Sequence, residues 1–365
     1  MRRLKVAMIG CGWTAGAQIE RGYGKLADRF DVAAACDTQP ERLEAFASRH
    51  GIERREASLE AILAMPEIDV VSICTPPNLH CRQVVAALGA GKHVICEKPF
   101  VASLAELDLV KAAEAASPAR VMPIFQYRFG NGIAKVKHAI DSGLAGRAFV
   151  ASVETAWLRG PDYYKVAWRG KYSSELGGVL LTQSIHMHDL LYFLIGPATA
   201  VAAFKTTRVN EVEVEDCAVA SLCMADGSLA SLTATLGSAR QITRLRFCFE
   251  NVTFEKQCED EAAGRPGDAP WTVIPKSREI GERLTRAMAG IPDRKSGFAR
   301  QFELFADALD AGGAFPVTLE DARRSLELVT ALFHADETAT VVSLPLAADH
   351  EKYRGWTPRA RMAAA

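Results

Sequence analysis

The sequence has no excess charge of either sign: 43 basic and 44 acidic side chains leave a formal net charge of -1. Such a balance removes the broad electrostatic reason to bind nucleic acid or an anionic membrane, and neither is an expected partner. No window approaches the run of roughly 20 apolar residues that a membrane-spanning helix requires. The start, Met1-Arg2-Arg3-Leu4-Lys5 and then apolar residues, has the outline of a signal peptide. Gly10 and Gly12 break its apolar stretch and no small-residue cleavage site follows, so it reads as a mature strand of a soluble, cytoplasmic protein. Nine cysteines, an odd number with no CxxC pair, argue against a disulfide framework or a zinc site in a chain of this size. Cys36, Cys74 and Cys96 lie in apolar runs, where a free thiol behaves as a small hydrophobe. No metal site and no internal repeat is expected.

What is present is a globular composition, 49% hydrophobic and 24% charged over 365 residues, long enough to divide its core. In the first third, apolar runs at 4–9, 31–36, 70–74, 93–96 and 121–125 alternate with helical stretches such as 41–49, 80–89 and 103–116. Continuous apolar strands between amphipathic helices predict a doubly wound parallel sheet covered on both faces. Ligands of such a sheet sit outside the carboxyl ends of its strands. Beyond residue 129 the pattern changes to a helix at 132–141, a long strand at 147–157 and a Gly-, Tyr- and Trp-rich stretch to Gly178. A helix at 183–194 follows, then strands at 198–207, 214–224, 228–237 and 244–250, with Asp226-Gly227 as a hairpin turn. Consecutive strands without helices between them predict an α+β domain with an open, mainly antiparallel sheet. An acidic loop is expected at 259–268, and helices at 298–311 and 319–337, the second begun by a Thr318/Asp321 cap. The expected divisions are 1–126, 127–346 and a loosely held tail at 347–365.

The segment Val6-Ala7-Met8-Ile9-Gly10-Cys11-Gly12-Trp13-Thr14-Ala15 carries G-x-G-x-x-A between a strand and a helix. Gly10 permits the tight turn, Gly12 lets a pyrophosphate approach the backbone, and the helix N-terminus offers N–H groups to phosphate. Cys11, Trp13 and Thr14 lie along the same turn. Asp37, 27 residues after Gly10, stands where a carboxylate accepts both ribose hydroxyls and repels a 2′-phosphate, favouring NAD over NADP. A plain capping role before Pro40 is the alternative for Asp37, and Arg42 is the group that would meet the phosphate of NADP. Two further stretches follow strands on the same edge: Cys74-Thr75-Pro76-Pro77-Asn78-Leu79-His80 and Cys96-Glu97-Lys98-Pro99. Charged residues directly after a buried strand are costly unless they face a crevice with partners.

The glycine turn, Asp37, the TPPNLH stretch, Glu97-Lys98-Pro99 and the block from Gly177 to Leu191, in this order, resemble the Gfo/Idh/MocA oxidoreductases over residues 1 to about 345. The resemblance implies a Rossmann domain carrying NAD or NADP and a second domain that forms the substrate pocket and oligomer contacts. It implies action on a carbon–oxygen bond of a sugar, cyclitol or related polyol, in a homodimer or homotetramer formed through the second sheet. Lys98 looks like the catalytic lysine, touching substrate and cofactor, and Glu97 like the acid on the ribose. Thr75, Pro76, Asn78 and His80, with Cys74 before them, resemble the loop beside the nicotinamide. Gln126 matches a cofactor-side amide, and Trp168-Arg169-Gly170 a WRG element of cofactor and pocket. Arg128, Tyr163 and Tyr164 are candidate substrate contacts. His186 resembles the acid/base; the aspartate usual four residues earlier is Thr182 here, followed by Gln183, both candidate substrate contacts.

The chemistry agrees with those assignments. Oxidising an alcohol requires moving one proton, and histidine titrates near neutrality. A lysine stabilises a developing alkoxide or polarises a carbonyl. His188, two residues from His186, points elsewhere on a helix, so the pair is not read as a metal site, and Asp189 is read as capping or orienting a neighbour. Two alternatives stay open: a dinucleotide-dependent sensor that kept the fold and lost the chemistry, and an enzyme with nondissociating cofactor shuttling hydride between two sugars.

Overall fold

A computed structural model describes residues 2–259 and 265–357. It divides into two compact units: the N-terminal stretch to Gln126 together with Gly297–Arg323, and Tyr127–Ser296 together with the chain from Arg324 on. Of the acidic loop expected at 259–268, residues 260–264 lie outside the described residues.

In the first unit, strands β1 (Leu4–Ile9), β2 (Phe30–Cys36), β3 (Arg54–Glu56), β4 (Val70–Ile73), β5 (His93–Cys96) and β6 (Val121–Pro123) form one sheet in the order β3-β2-β1-β4-β5-β6. Every pairing is parallel. The order reverses between β1 and β4, the switch point at which a crevice opens beyond the strand ends. Val6, Ala7, Met8, Val70 and Ile95 have no exposed surface, as strands covered on both faces require. Connecting helices are α1 (Trp13–Arg21), α2 (Pro40–His50), α3 (Leu59–Leu63), α4 (His80–Gly89) and α5 (Leu104–Ala115). The start of α5 is fixed by the Ser103 N-cap, to whose Oγ Glu106 N donates at 3.1 Å, and by Ala102 N donating to Glu106 Oε2 at 2.8 Å. β3 was not expected. It is a polar edge strand, Arg-Arg-Glu, without the apolar run that marks its neighbours.

The second unit opens with α6 (Asn131–Asp141) and β7 (Ala148–Leu158), then α7 (Val179–Thr182) and α8 (Ile185–Ile195). β8 (Ala198–Thr206), β9 (Cys217–Met224), β10 (Leu229–Thr235), β11 (Gly237–Phe249), β12 (Val252–Glu259), β13 (Thr272–Pro275) and α9 (Arg278–Ala289) follow. With β14 (Val342–Ser343), the eight strands run β13-β12-β11-β7-β10-β9-β8-β14. Only the central β7–β10 pairing is parallel; the others are antiparallel. β9 and β10 alternate buried and exposed residues, so one face builds the core. Val150, Phe204, Val219 and Leu229 point from the other face and are each between 45% and 67% exposed.

Two departures from expectation concern the last part of the chain. α10 (Gly297–Ala311) returns to the first unit, where Phe302 stacks on Tyr23 with centroids 4.5 Å apart and Gln301 Nε2 donates to Pro123 O at 2.8 Å. α11 (Leu319–Thr338) begins with the expected cap, Asp321 N donating to Thr318 Oγ1 at 3.2 Å and Thr318 N to Asp321 Oδ2 at 2.8 Å. The tail is not loosely held over its described residues, which is a correction. Trp356 is 2% exposed and its indole N–H donates to Leu176 O at 2.8 Å, while Lys352 pairs with Glu337. Burying a tryptophan with its N–H satisfied outweighs the small-residue composition around it.

Candidate functional site

In the first unit, β1 runs into Gly10, whose φ of +86° and close approach to β4 exclude any side chain. A Cβ there would lie 2.9 Å from the carbonyl carbon of Cys74. Gly10 N donates to Cys36 O at 2.8 Å and Cys11 N donates to Asp37 Oδ2 at 2.9 Å, which ties the turn to the end of β2. Asp37 Oδ1 accepts from Gln39 N at 2.9 Å, an Asx-type turn ahead of α2, whose own N-cap Gln39 makes no side-chain cap. The Arg42 guanidinium approaches Asp37 Oδ2 to 3.6 Å. Thr14 lies in the first turn of α1, and Trp13 is 72% exposed with the Arg21 guanidinium 5.8 Å above its ring. A depression of about 320 Å³ beside the turn is lined by Cys11, Gly12, Trp13, Arg42, Phe46 and His50.

The next two loops lie at the ends of β4 and β5. Cys74 N continues the β1 ladder by donating to Ile9 O at 2.7 Å, and Thr75 Oγ1 donates to Gln83 Oε1 at 2.5 Å. Pro76 leads into the single turn Pro77–Leu79 that holds Asn78. His80 is 1% exposed, with Nε2 2.9 Å from Thr75 O and Nδ1 2.9 Å from Pro99 O. Burial pushes its pKa below the ordinary histidine value. A neutral imidazole donates from one ring nitrogen only, so His80 sits between the Thr75 loop and the Lys98–Pro99 loop and hydrogen-bonds one of these two carbonyls according to its tautomer. Glu97 is 5% exposed; burial raises its pKa, while the adjacent Lys98 charge and a hydrogen bond from Gln18 hold it down. Lys98, half-buried, follows it directly and its own N donates to Glu97 Oε2 at 3.3 Å.

In the second unit, α8 carries His186, 5% exposed, and its imidazole lies parallel to the Tyr127 ring with centroids 4.4 Å apart. Arg128 grips the same helix: its Nε donates to Asp189 Oδ2 at 2.8 Å and its Nη2 to Asp189 Oδ1, both side chains being buried. Asp189 thus orients a neighbour, as expected, and the neighbour is Arg128. His188 is 1% exposed, and burial alone drives its pKa down to about 3, so it stays neutral.

The turn before α8 is clamped by Glu215. Gly178 N and Leu180 N both donate to its Oε1, at 2.9 and 3.2 Å. A Cβ on Gly178 would stand 1.7 Å from Glu215 O, so only glycine fits there. Burial pushes the Glu215 carboxyl up to about 7, against the pull of those N–H groups and of Lys205. Thr182 Oγ1 stands 2.8 Å from Gly178 O and also beside Gln183 Oε1, and its single proton serves one of these two acceptors at a time. Gln183 Nε2 in turn donates to Tyr163 OH at 2.8 Å. Arg169 also donates to that hydroxyl and reaches Glu175 Oε1 at 3.1 Å, its guanidinium 4.4 Å over the Trp168 ring. Tyr164 stands edge-on to Tyr163, with centroids 5.1 Å apart. Thr182 thus brings a hydroxyl that does not titrate near neutrality where a carboxylate was the expected residue.

Sequence reasoning missed Gln18, Tyr127, Glu175 and Glu215. Tyr127 adjoins Gln126 and could have been found by its place between two candidates. Glu215 could not, since its partner Gly178 lies 37 positions earlier.

Comparison with known proteins places the chain. Residues 4–125 match an oxidoreductase family described as having an NAD-binding Rossmann fold, and residues 133–255 match the GFO/IDH/MocA C-terminal domain. The chain belongs to the Gfo/Idh/MocA oxidoreductase family. It is 32% identical over 204 residues to 1,5-anhydro-D-fructose reductase of Ensifer adhaerens, a match spanning 55% of this chain and only 60% of that protein. It is 26% identical to D-glucoside 3-dehydrogenase of Escherichia coli over 93% of this chain and 97% of the relative. The WlbA dehydrogenase of Bordetella pertussis, solved with NADH and UDP-GlcNAcA, superposes with a TM-score of 0.83 at 26% identity, covering 95% of this chain and all of the other.

The first unit fits an NAD cofactor on its own geometry. A Cβ on Gly12 would meet nothing within 4 Å, leaving room for a pyrophosphate at the turn. α1 has no side-chain cap and no acidic residue in its first turn, so its N–H groups are open to an anion. Gln126 Oε1 is buried with no hydrogen-bond partner among the described residues, a cost that a bound amide or hydroxyl would remove. No group of three His, Cys, Asp or Glu suited to a metal ion occurs among the described residues, nor any helix long and apolar enough to cross a membrane.

Proposed function

We propose that this protein is an NAD-dependent dehydrogenase or reductase acting on a CH–OH centre of a sugar, cyclitol or related polyol, with Lys98 and His186 as its polarising and acid/base residues. The observation that carries this reading is the placement of Glu97 and Lys98 directly after β5, at the carboxyl edge of an NAD-type sheet. NAD is preferred to NADP because Asp37, already committed to the turn, presents negative charge where a 2′-phosphate would come. Gly12, Trp13 and Thr14 offer main-chain N–H groups to the pyrophosphate; Thr75, Asn78 and Gln126 serve the nicotinamide side.

NAD+ held at the glycine turn would supply the hydride acceptor for the carbinol carbon. His186 takes the proton of the substrate hydroxyl, and the reverse reaction draws on the same proton. Stacking on Tyr127 fixes the plane of the imidazole and the Arg128–Asp189 pair fixes the helix beneath it, which is the pre-positioning that such transfer rewards. Lys98 is suited to stabilise charge developing on a substrate oxygen. Tyr163, Tyr164, Arg169, Thr182 and Gln183 supply hydroxyl, guanidinium and amide groups matched to a polyhydroxylated ligand. The apolar outer face at Val150, Phe204, Val219 and Leu229 supports pairing with a second copy of the chain. Lys98→Ala is the direct test: turnover is lost while NADH binding persists, and an active variant removes Lys98 from the mechanism.

A further inference from the structure

Behind the nucleotide face, four side chains form one hydrogen-bonded line. Tyr23, Ser72, Gln18 and Glu97 are 2%, 0%, 0% and 5% exposed. Tyr23 OH donates to Ser72 Oγ at 3.1 Å, Ser72 Oγ donates to Gln18 Oε1 at 2.7 Å, and Gln18 Nε2 donates to Glu97 Oε1 at 2.8 Å. Every donor points the same way, and the line ends on a carboxylate.

That direction is set by chemistry. An ionised carboxylate only accepts, so Gln18 must turn its NH₂ to Glu97 and its carbonyl to Ser72. Ser72 then spends its proton on Gln18 and accepts from Tyr23. Chains of this kind polarise one another, and in a buried setting each link strengthens the next. The far end is anchored, since the Tyr23 ring stacks on Phe302 at 4.5 Å and meets Phe30 edge-on at 5.3 Å. Around Glu97 stand Lys98, whose charge favours the ionised acid, and the thiols of Cys74 and Cys96, whose pKa values are raised first by burial and then by the Glu97 charge. Gln18 therefore supplies a directed donor that opposes the upward push of burial on this acid.

We propose that Gln18, Ser72 and Tyr23 are positioning residues for the cofactor, holding Glu97 ionised and in a single orientation as the acceptor for the nicotinamide ribose. This rests on the reading of Glu97 as the ribose acid. The test is fluorescence titration of NADH into the full-length protein, with the melting temperature of each cofactor-free variant measured alongside. Gln18→Met keeps the length and removes the donor, and its Kd is expected to rise about tenfold, the scale of a lost hydrogen bond to a charged group. Ser72→Ala is expected to weaken binding about threefold and Tyr23→Phe less, with Ser72→Thr restoring it. A merely structural role would instead make affinity follow melting temperature, without that gradient along the line.

Gln18→Met binding within about twofold of wild type overturns the proposal. Should Gln18→Met fail to fold, the serine pair decides: loss in Ser72→Ala with recovery in Ser72→Thr supports it, and equal affinities overturn it. Glu97→Ala separates the two layers. If it leaves Kd unchanged, the ribose assignment falls and the proposal with it; if it weakens binding while Gln18→Met does not, only the positioning line falls.

Discussion

Glu215 should make the second unit less stable as pH rises, and Glu215→Gln should abolish that dependence. The carboxyl is 1% exposed, its Oε1 accepts from Gly178 N and Leu180 N, and its Oε2 has no hydrogen-bond partner among the described residues. Its folded pKa is about 7, raised by burial from the model-peptide value of 4.5. The folded state thus holds a proton over the interval between 4.5 and 7 that the unfolded chain has released. Stability falls with rising pH wherever the folded state binds more protons, so this group favours folding below that interval and opposes it above. At 1.36 kcal/mol per pKa unit, the difference across the interval is roughly 3 kcal/mol. Glutamine keeps an acceptor for both N–H groups and carries no charge at any pH. Urea unfolding followed by tryptophan fluorescence reports on this unit, because Trp157, Trp168, Trp271 and Trp356 all belong to it. Relative to wild type, Glu215→Gln should gain roughly 3 kcal/mol between about pH 4.5 and pH 8. Parallel pH profiles for the two proteins would refute the argument.

Asp189→Ala should cost about 3–5 kcal/mol, since it removes one partner of the buried ion pair with Arg128, and urea midpoints measure the loss. The same variant should lower turnover more than affinity for NADH, which separates the helix that carries His186 from the nucleotide unit. For Asp37→Ala, the ratio of NAD to NADP affinity should fall, with Arg42 released from its carboxylate to meet a 2′-phosphate. Titration of both reduced cofactors tests this, and an unchanged ratio would remove Asp37 from cofactor choice.

The parallel sheet and the glycine turn were legible because both are written in short local patterns. Leu4–Ile9 is a continuous apolar run, and Gly10 sits at the one point where a Cβ would strike β4. The polar strand Arg54–Glu56 carries no such signal, for it lies at the sheet edge. Nor does an apolar stripe announce which core it joins. Phe302 reads as a helix position in either unit, and only the stacking on Tyr23 assigns it to the first. In the site, the candidates read from strand ends lie on loops at those ends, but the partners they meet there were not legible in the sequence. His80 faces two main-chain oxygens, and Arg128 faces Asp189. Glu215 and Gln18 were invisible for a shared reason: their partners Gly178 and Glu97 are 37 and 79 positions away.

The central claim is hydride transfer between NAD and a polyol. It is tested most directly by mixing the purified protein with NAD+ and a panel of sugars and inositols while following the absorbance of reduced nicotinamide. Reduction of NAD+ by at least one of them, lost in Lys98→Ala and in His186→Ala, is the predicted result. Tight NADH binding with no turnover on any substrate, in either direction, would contradict it and leave a dinucleotide-binding sensor in its place.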